Sequence, residues 1–483
     1  MDESNHSPGF QALIERLNAS LTLRNTVELN SVLNRAQLEL GGNASLSRVV
    51  GTSEFLTESK ELLMQEELPQ LNYDLLIDVV GKMISLVPFD QLMEQYSPQD
   101  LRLSIESGVP GLVKLACRVV QRSEPKGIFA GLGILDSILS LFFDPTTETG
   151  TVTEIENVFK ALRSDSLVRR RLLGHNGKYL IRVKSELNSI ILARLVDLLG
   201  LMIPFVDCSE LNLKLFLFSE QEIVKSIELD IFCFIAITNY YTDLLCLCGP
   251  QLQYDKASAW LVTHALEVVI PAYGNLYANA QNDSVLRVYA RRYIFRLFAQ
   301  ISMLEDQEHF KQLDNQYLKL TESNPDFIEF RKFINPLYLI SEKKSLVLDQ
   351  LRVDPSHLAE LRNLISNEHS FNEIKEQLMP DRILSLPYYE RMVLLEKLTS
   401  YEYSMLFLIN NLSKVMSDLL DDKDGNIRET ETVILRRQIF ENLLNVSDET
   451  LNVWKSPVLN SYRAIISGVR NDGGAAQVAD VYL

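Results

Sequence analysis

The sequence predicts an all-α protein, an α-solenoid built from HEAT- or armadillo-like helical hairpins. Three observations carry this expectation. Apolar residues recur at spacings of three and four from about Phe10 to Arg470. Pro, Gly, Asn or Asp interrupts that pattern every fifteen to twenty residues, and alternation with a period of two is scarce. The 483 residues are 46% hydrophobic and 8% aromatic, enough for a large core. That length would ordinarily suggest roughly three domains, but a repeat array can grow without closing off separate cores.

Along the chain, residues 1–8 are expected to be a flexible start, and "MDESNHSPGF" lacks the basic and apolar blocks of a signal peptide. In "NYDLLIDVVGKMISLV" the residues Leu75, Leu76, Val79, Val80, Met83, Ile84 and Val87 form one broad helical stripe. "SPQDLRLSI" offers Ser97 as N-cap, Pro98 at the first helical position and Asp100 in the first turn, where the helix dipole favours it. Thr151 and Glu154 have the spacing of a capping box. "NPDFIEFRKFI" at Asn324 and "DPSHLAELRNLI" at Asp354 repeat the cap-then-Pro arrangement, while "DPTTETGT" at Asp144 and "DDKDGN" at Asp421 read as longer loops. The most membrane-like segment, "LDIFCFIAITNYYTDLLCLCG", is interrupted by Asp230 and Asp243, which enclose only twelve residues, so a buried helix is expected. One continuous solenoid over 9–468 and a flexible tail over 469–483 complete the expected organisation.

Two partial repeats support stacking. "DSLVRRR" at Asp165 and "DSVLRVY" at Asp283 lie 118 residues apart, near three units of about 39. Ala116 in "VKLACRVV" and Ala290 in "RVYARRYIF" lie 174 apart, near four units of about 43. A small residue lets a helix approach its hairpin partner closely, and a hairpin that cannot bury its whole apolar face must stack on the next. Roughly ten or eleven such units would fill the chain.

Chemistry is sparse. The loop "DKDGN" from Asp422 to Asn426 opens like a calcium loop, but Ile427 and Val433 stand where the invariant Gly and bidentate Glu belong. Gly131 and Gly133 in "GIFAGLGILDS" lack the strand and third glycine of a dinucleotide site, so close helix packing is expected. The six histidines are dispersed, and His264 is expected to be a satisfied core residue rather than a ligand. Cys246 and Cys248 are too close for usual zinc spacing and are expected to pack in the core. Neither a catalytic constellation nor a cofactor site emerges, and Asn-x-Ser triplets such as Asn43–Ser45 matter only in a secretory protein. Five cysteines without a paired framework suit a reducing compartment, the cytoplasm, with the nucleus as a second location.

The net charge of −17 repels phosphate backbones except where a local patch overrides it. One such patch is "SLVRRRLLGHNGKYLIRVK" from Ser166 to Lys184, in which Arg169, Arg170 and Arg171 fan across about 200° of a helix and cannot all face one partner. Lys178, Arg182 and Lys184 follow the "GHNG" turn. Solvated helix faces, with Arg stems packed on neighbours, are the plain reading; one rim of a binding groove is the sharper one. In "LRVYARRYIFR", Arg292 and Arg296 share a face with Tyr289, an Arg and Tyr grouping typical of interface anchors, although a core-covering role competes. The candidate partner-binding residues are therefore Arg169, Arg170, Tyr289, Arg292 and Arg296.

Several stretches in order, "LNYDLLIDVV" at Leu71, "ACRVV" at Ala116, "PKGIFA" at Pro125, "RRRL" at Arg169, "NYYT" at Asn239, "LPYYERM" at Leu386 and "YEYSMLFLINNLSKVM" at Tyr401, are similar to a fungal family. That family comprises HEAT-repeat chaperones for assembly of the base of the proteasome regulatory particle, also named for DNA mismatch repair. The resemblance spans about Leu71 to Trp454 and implies a C-shaped solenoid without enzymatic activity. It also implies partners: the C-terminal helical domain of the first regulatory-particle ATPase, with a neighbouring ATPase and a scaffold subunit in the assembly intermediate. Neither membrane nor direct nucleic-acid binding is expected. The alternatives are a general HEAT-repeat scaffold or adaptor of transport or phosphatase type, and a DNA-processing enzyme on such a scaffold.

Overall fold

The computed structural model describes residues 8–40, 52–64, 68–247, 256–279, 285–421 and 429–467. The first residues, the triplet Asn43–Ser45, Cys248, Asp283, the Asp422–Asn426 loop and the 469–483 tail lie outside them. Among the described residues the regular structure is helical, without a strand, as the apolar periodicity requires. The chain divides into two compact units, Met1–Tyr293 and Ile294–Leu483.

In the first unit, α1 (Pro8–Thr22) packs on α2 (Thr26–Leu40) and α3 (Thr52–Met64) on α4 (Tyr73–Ile84). After α5 (Phe89–Gln95), α6 (Pro98–Glu106) packs on α7 (Pro110–Gln121), and α8 (Ile134–Phe142) on α9 (Thr149–Leu162). The short α10 (Ser166–Arg169) runs through a π-helical turn, Arg170–His175, into α11 (Gly177–Ser185), which packs on α12 (Ser189–Met202). After α13 (Leu213–Phe216), α14 (Glu220–Leu229) packs on α15 (Ile231–Cys246); α16 (Lys256–Asn279) then precedes a second π-helical turn, Leu286–Ala290. The second helices α2, α4, α7, α9, α12 and α15 pack each on the next; on the other side α1 packs on α3, α3 on α5, α6 on α8, α8 on the Arg170–His175 turn and α11 on α13, and this layered stack is the α-solenoid.

The second unit begins inside α17 (Arg291–Ser302) and continues with α18 (Glu308–Leu313), α19 (Phe327–Phe330), α20 (Pro336–Gln350), α21 (Leu358–Ile365) and α22 (Glu368–Ile374). It ends with α23 (Pro380–Leu384), α24 (Tyr388–Thr399), α25 (Glu402–Asn411), α26 (Ser413–Leu420), α27 (Thr430–Leu444), α28 (Asp448–Leu451) and α29 (Lys455–Ser467). Here α21, α24, α27 and α29 form one ladder and α20, α22 and α25 the other.

Local expectations meet mixed outcomes. All seven stripe residues from Leu75 to Val87 are buried, and Ser97 forms a capping box with Asp100 behind Pro98. Thr151 does not cap: α9 starts earlier, at Thr149, and Thr151 is buried. Asn324 accepts from Asp326 N in a turn, and the helix begins only at Phe327. Gly133 is needed for its left-handed backbone, φ +75°, rather than for close packing, and a Cβ at Gly131 would meet nothing. Cys246 is exposed, not core, because it falls in the last turn of α15 on the solvent side.

The two repeat matches fare differently. Ala116 and Ala290 are both buried in the second-helix layer, separated by the steps α7, α9, α12, α15 and the Leu286–Ala290 turn, four units as spaced. Asp165, in contrast, opens a first helix, whereas the segment after Asp283 packs on the second helix α15, so that match does not join equivalent positions.

Candidate functional site

The solvent side of the second-helix ladder in the first unit carries the polar groups that a partner would meet. The apolar stripe of each second helix faces inward, so its opposite face holds Asp78 and Lys82 on α4, Arg118 and Gln121 on α7, Glu154 and Lys160 on α9, Asp197 on α12 and Asp243 on α15. Two clefts open on this face.

Between α4 and α7 a cleft of about 470 Å³ is lined by Asp78, Gly81, Lys82, Arg118, Arg122 and Glu154, among others. Arg118 Nε donates to Glu154 Oε1 at 3.0 Å, and its guanidinium lies against Gly81, where a Cβ would collide with Nη1. Lys82 Nζ donates to Gln37 O at 2.8 Å. Arg122 donates to Ser85 O, and to Val87 O at 3.1 Å, capping the carbonyls at the end of α4.

Between α12 and α15 a cleft of about 430 Å³ has a floor of Ala193, Gly200 and Ala236, with Asp197, Asn239 and Asp243 on its walls. Burial, and then the neighbouring Glu156 and Asp243 carboxylates, push the Asp197 carboxyl up; Lys160 opposes them. This end of the ladder is therefore locally anionic, and the α4–α7 end carries more cations.

Half of the basic residues in 166–184 are spent on the chain's own carboxylates. Arg169 is 5% exposed, and its guanidinium reaches Glu210 at 3.0 Å and the Arg163 and Ser164 carbonyls at 3.1 and 2.9 Å. A buried, paired guanidinium is not available to a partner, which corrects the candidate role of Arg169. Arg171 pairs with Asp136, and Lys184 Nζ meets the Lys214 and Leu217 carbonyls and Glu222. Arg170, Lys178 and Arg182 remain exposed.

Tyr289 and Arg292 are exposed, and Arg292 turns onto Tyr293, donating to its hydroxyl at 2.6 Å with the guanidinium 4.6 Å from the ring centre. The π-helical turn at Leu286–Ala290 inserts an extra residue per turn there, so the helical spacing that grouped Tyr289 with Arg292 does not hold across it. Arg296 is exposed at the start of the second unit. His264 is half-buried, with Nδ1 2.8 Å from Trp260 O and its ring against the indole. Among the described residues no group of His, Cys, Asp and Glu is placed to hold a metal, and no helix is long and apolar enough to cross a membrane.

Sequence reasoning passed over the α4–α7 cleft. Its signal was Gly81, an isolated glycine inside a strong helical stripe, which marks a close approach by something else.

Comparison with known proteins identifies relatives. Residues 11–246 match the model described as "DNA mismatch repair protein HSM3, N terminal domain", and residues 258–483 match the corresponding C terminal domain. The chain is similar to the DNA mismatch repair protein HSM3 of Eremothecium gossypii, 35% identical over 94% of each chain. It is likewise similar to those of Saccharomyces cerevisiae, at 34% over 94% of each, and Kluyveromyces lactis, at 30% over 96% of this chain and 97% of the relative. A solved engineered protein, 13% identical, covers 90% of this chain and 99% of its own with a TM-score of 0.33, too distant to bear on the fold.

Proposed function

Because this chain belongs to the HSM3 family, we propose that it acts as an assembly chaperone for the base of the proteasome regulatory particle, holding the C-terminal helical domain of the first ATPase. The stretches resembling that chaperone family support the reading. So does one structural observation: an open ladder of second helices whose solvent side carries charged clefts rather than a converging catalytic set. A stacked wall of this kind can hold a small helical domain over a broad polar area, and its occupancy would block premature docking of other subunits. A neighbouring ATPase and a scaffold subunit would join the same intermediate. Chaperoning here is steric control, without catalysis by the solenoid itself, and it would take place in the cytoplasm or nucleus.

The relatives' name links them to DNA mismatch repair. For this chain we place such a link at the level of protein partners, because three of the six basic residues between Ser166 and Lys184 are tied to carboxylates of the chain itself.

The test is affinity purification of the tagged full chain from gently lysed cells, with the co-purifying proteins identified by mass spectrometry. Recovery of regulatory-particle ATPases without the proteolytic core is expected. Recovery of transport or phosphatase cargo alone would replace the chaperone reading with that of a general adaptor.

A further inference from the structure

We propose that the α4–α7 cleft is a socket for one Asp or Glu side chain of the protein partner; this rests on the chaperone reading and assigns a chemistry to one place on its docking face. The cleft walls carry three cations, Lys82, Arg118 and Arg122, against two anions, Asp78 and Glu154, which leaves one positive charge (3 − 2 = +1) in a chain of net charge −17. A single carboxylate balances that surplus. A phosphate, at about −1.5 to −2, would overshoot it and meet Asp78 and Glu154 as repulsive neighbours.

The donors are already tethered. Arg118 is held through Nε and Nη2 by Glu154, at 3.0 and 2.9 Å, so its guanidinium plane is fixed. Its Nη1 lies over Gly81 with no acceptor among the described residues. Lys82 uses one of its three N–H groups on Gln37 O and keeps two. Arg122 uses one N–H of Nη1 on Ser85 O and one of Nη2 on Val87 O, which pins its guanidinium at the end of α4 and adds its positive charge to the cleft. Lys82 on α4 and Arg118 on α7 thus line the same cleft with N–H groups to spare and with side chains already tethered by Gln37 O and Glu154, the condition under which a charged hydrogen bond adds affinity. Gly81 makes the site possible: any side chain there would lift Arg118 off the helix.

Gly81→Ala is the informative variant. Alanine is the better helix former, which offsets part of what is lost when Arg118 swings off Gly81 and must re-form its pair with Glu154, so thermal stability should change little. Affinity for the purified C-terminal helical domain of the first regulatory-particle ATPase should nevertheless fall about tenfold by calorimetry, as at an interface anchor. Lys82→Met, which leaves the Arg118–Glu154 pair intact, should weaken binding in the same direction. One Asp or Glu of the ATPase domain, changed to Asn or Gln, should cost affinity to the wild-type chain and little more to the Gly81→Ala chain. Wild-type affinity in both variants, or additive losses for every ATPase carboxylate, would overturn the socket and leave the chaperone reading standing. Absence of binding by the wild-type chain would overturn both.

Discussion

Arg331 and Glu360 meet inside the second unit at 3.1 Å with side chains 1% and 3% exposed. Removing both charges from water is costly, so the pair holds only while both partners are present. Arg331→Met, which strands a buried carboxylate, should cost about 3–5 kcal/mol in urea unfolding, and adding Glu360→Leu should restore most of that. Additive losses would show that the two do not act as a pair. Burial pushes the Glu360 carboxyl above its ordinary 4.5, with Arg331 opposing the shift. A raised acid favours the protonated folded state, so its contribution is present below pH 4.5 and lost as pH rises through the folded value. Glu360→Gln should flatten the stability profile over that interval. No reading of the sequence could pair such charges: Arg169, Arg171 and Lys184 find their carboxylates 41, 35 and 38 residues away, one hairpin or so along the ladder. Exposed Arg170 and buried Arg169 look alike until that neighbour is in place.

At the scale of the element, what was legible was what is decided within a few residues. The stripe of α4 and the box closed by Ser97 and Asp100 could be read directly, since each depends on residues no more than one or two turns apart. Asp354 belongs to the same class: its carboxylate accepts from the backbone N–H of Ser356 and His357 at 2.9 and 3.1 Å, ahead of α21. Asp354→Ala should cost about 1 kcal/mol through the lost cap, and Asp354→Asn much less, as thermal unfolding at neutral pH would report. The Ser356 hydroxyl, followed by His357, holds the Asp354 carboxyl down at about 2. A lowered acid stabilises above its ordinary 3.8, and that contribution disappears as pH falls toward 2, an acid-limb loss absent from the Asn variant. The π-helical turns at Arg170–His175 and Leu286–Ala290 were not legible, because their residue types are those of an ordinary α-turn and the wider turn is settled by what it packs against. Thr151 shows the same limit, a cap-like residue drawn into the core by an earlier helix start.

For the whole molecule, repetition of the hairpin was readable and its phase only in part. Ala116 and Ala290 mark equivalent second helices because the need for a small residue at a close approach recurs there, whereas the likeness of the Asp165 and Asp283 motifs joins a first helix to a second. Charge is the property in which sequence and fold combine to a decision about nucleic acid. The chain carries 64 Asp and Glu against 47 Lys and Arg, and its densest basic stretch keeps only Arg170, Lys178 and Arg182 at the surface, the last lying 5.5 Å from the Tyr179 ring. Three phosphate contacts would release counterions worth a salt slope of only about −3, against the six to ten contacts of a firm duplex binder, and the surrounding negative field opposes even these. In electrophoresis with matched and mismatched duplexes at moderate salt, the purified chain should therefore leave both unretarded. Tight, salt-sensitive retention of either would mean that cations from several hairpins converge on one DNA-binding face, and the protein-partner reading of the repair link would give way to direct recognition.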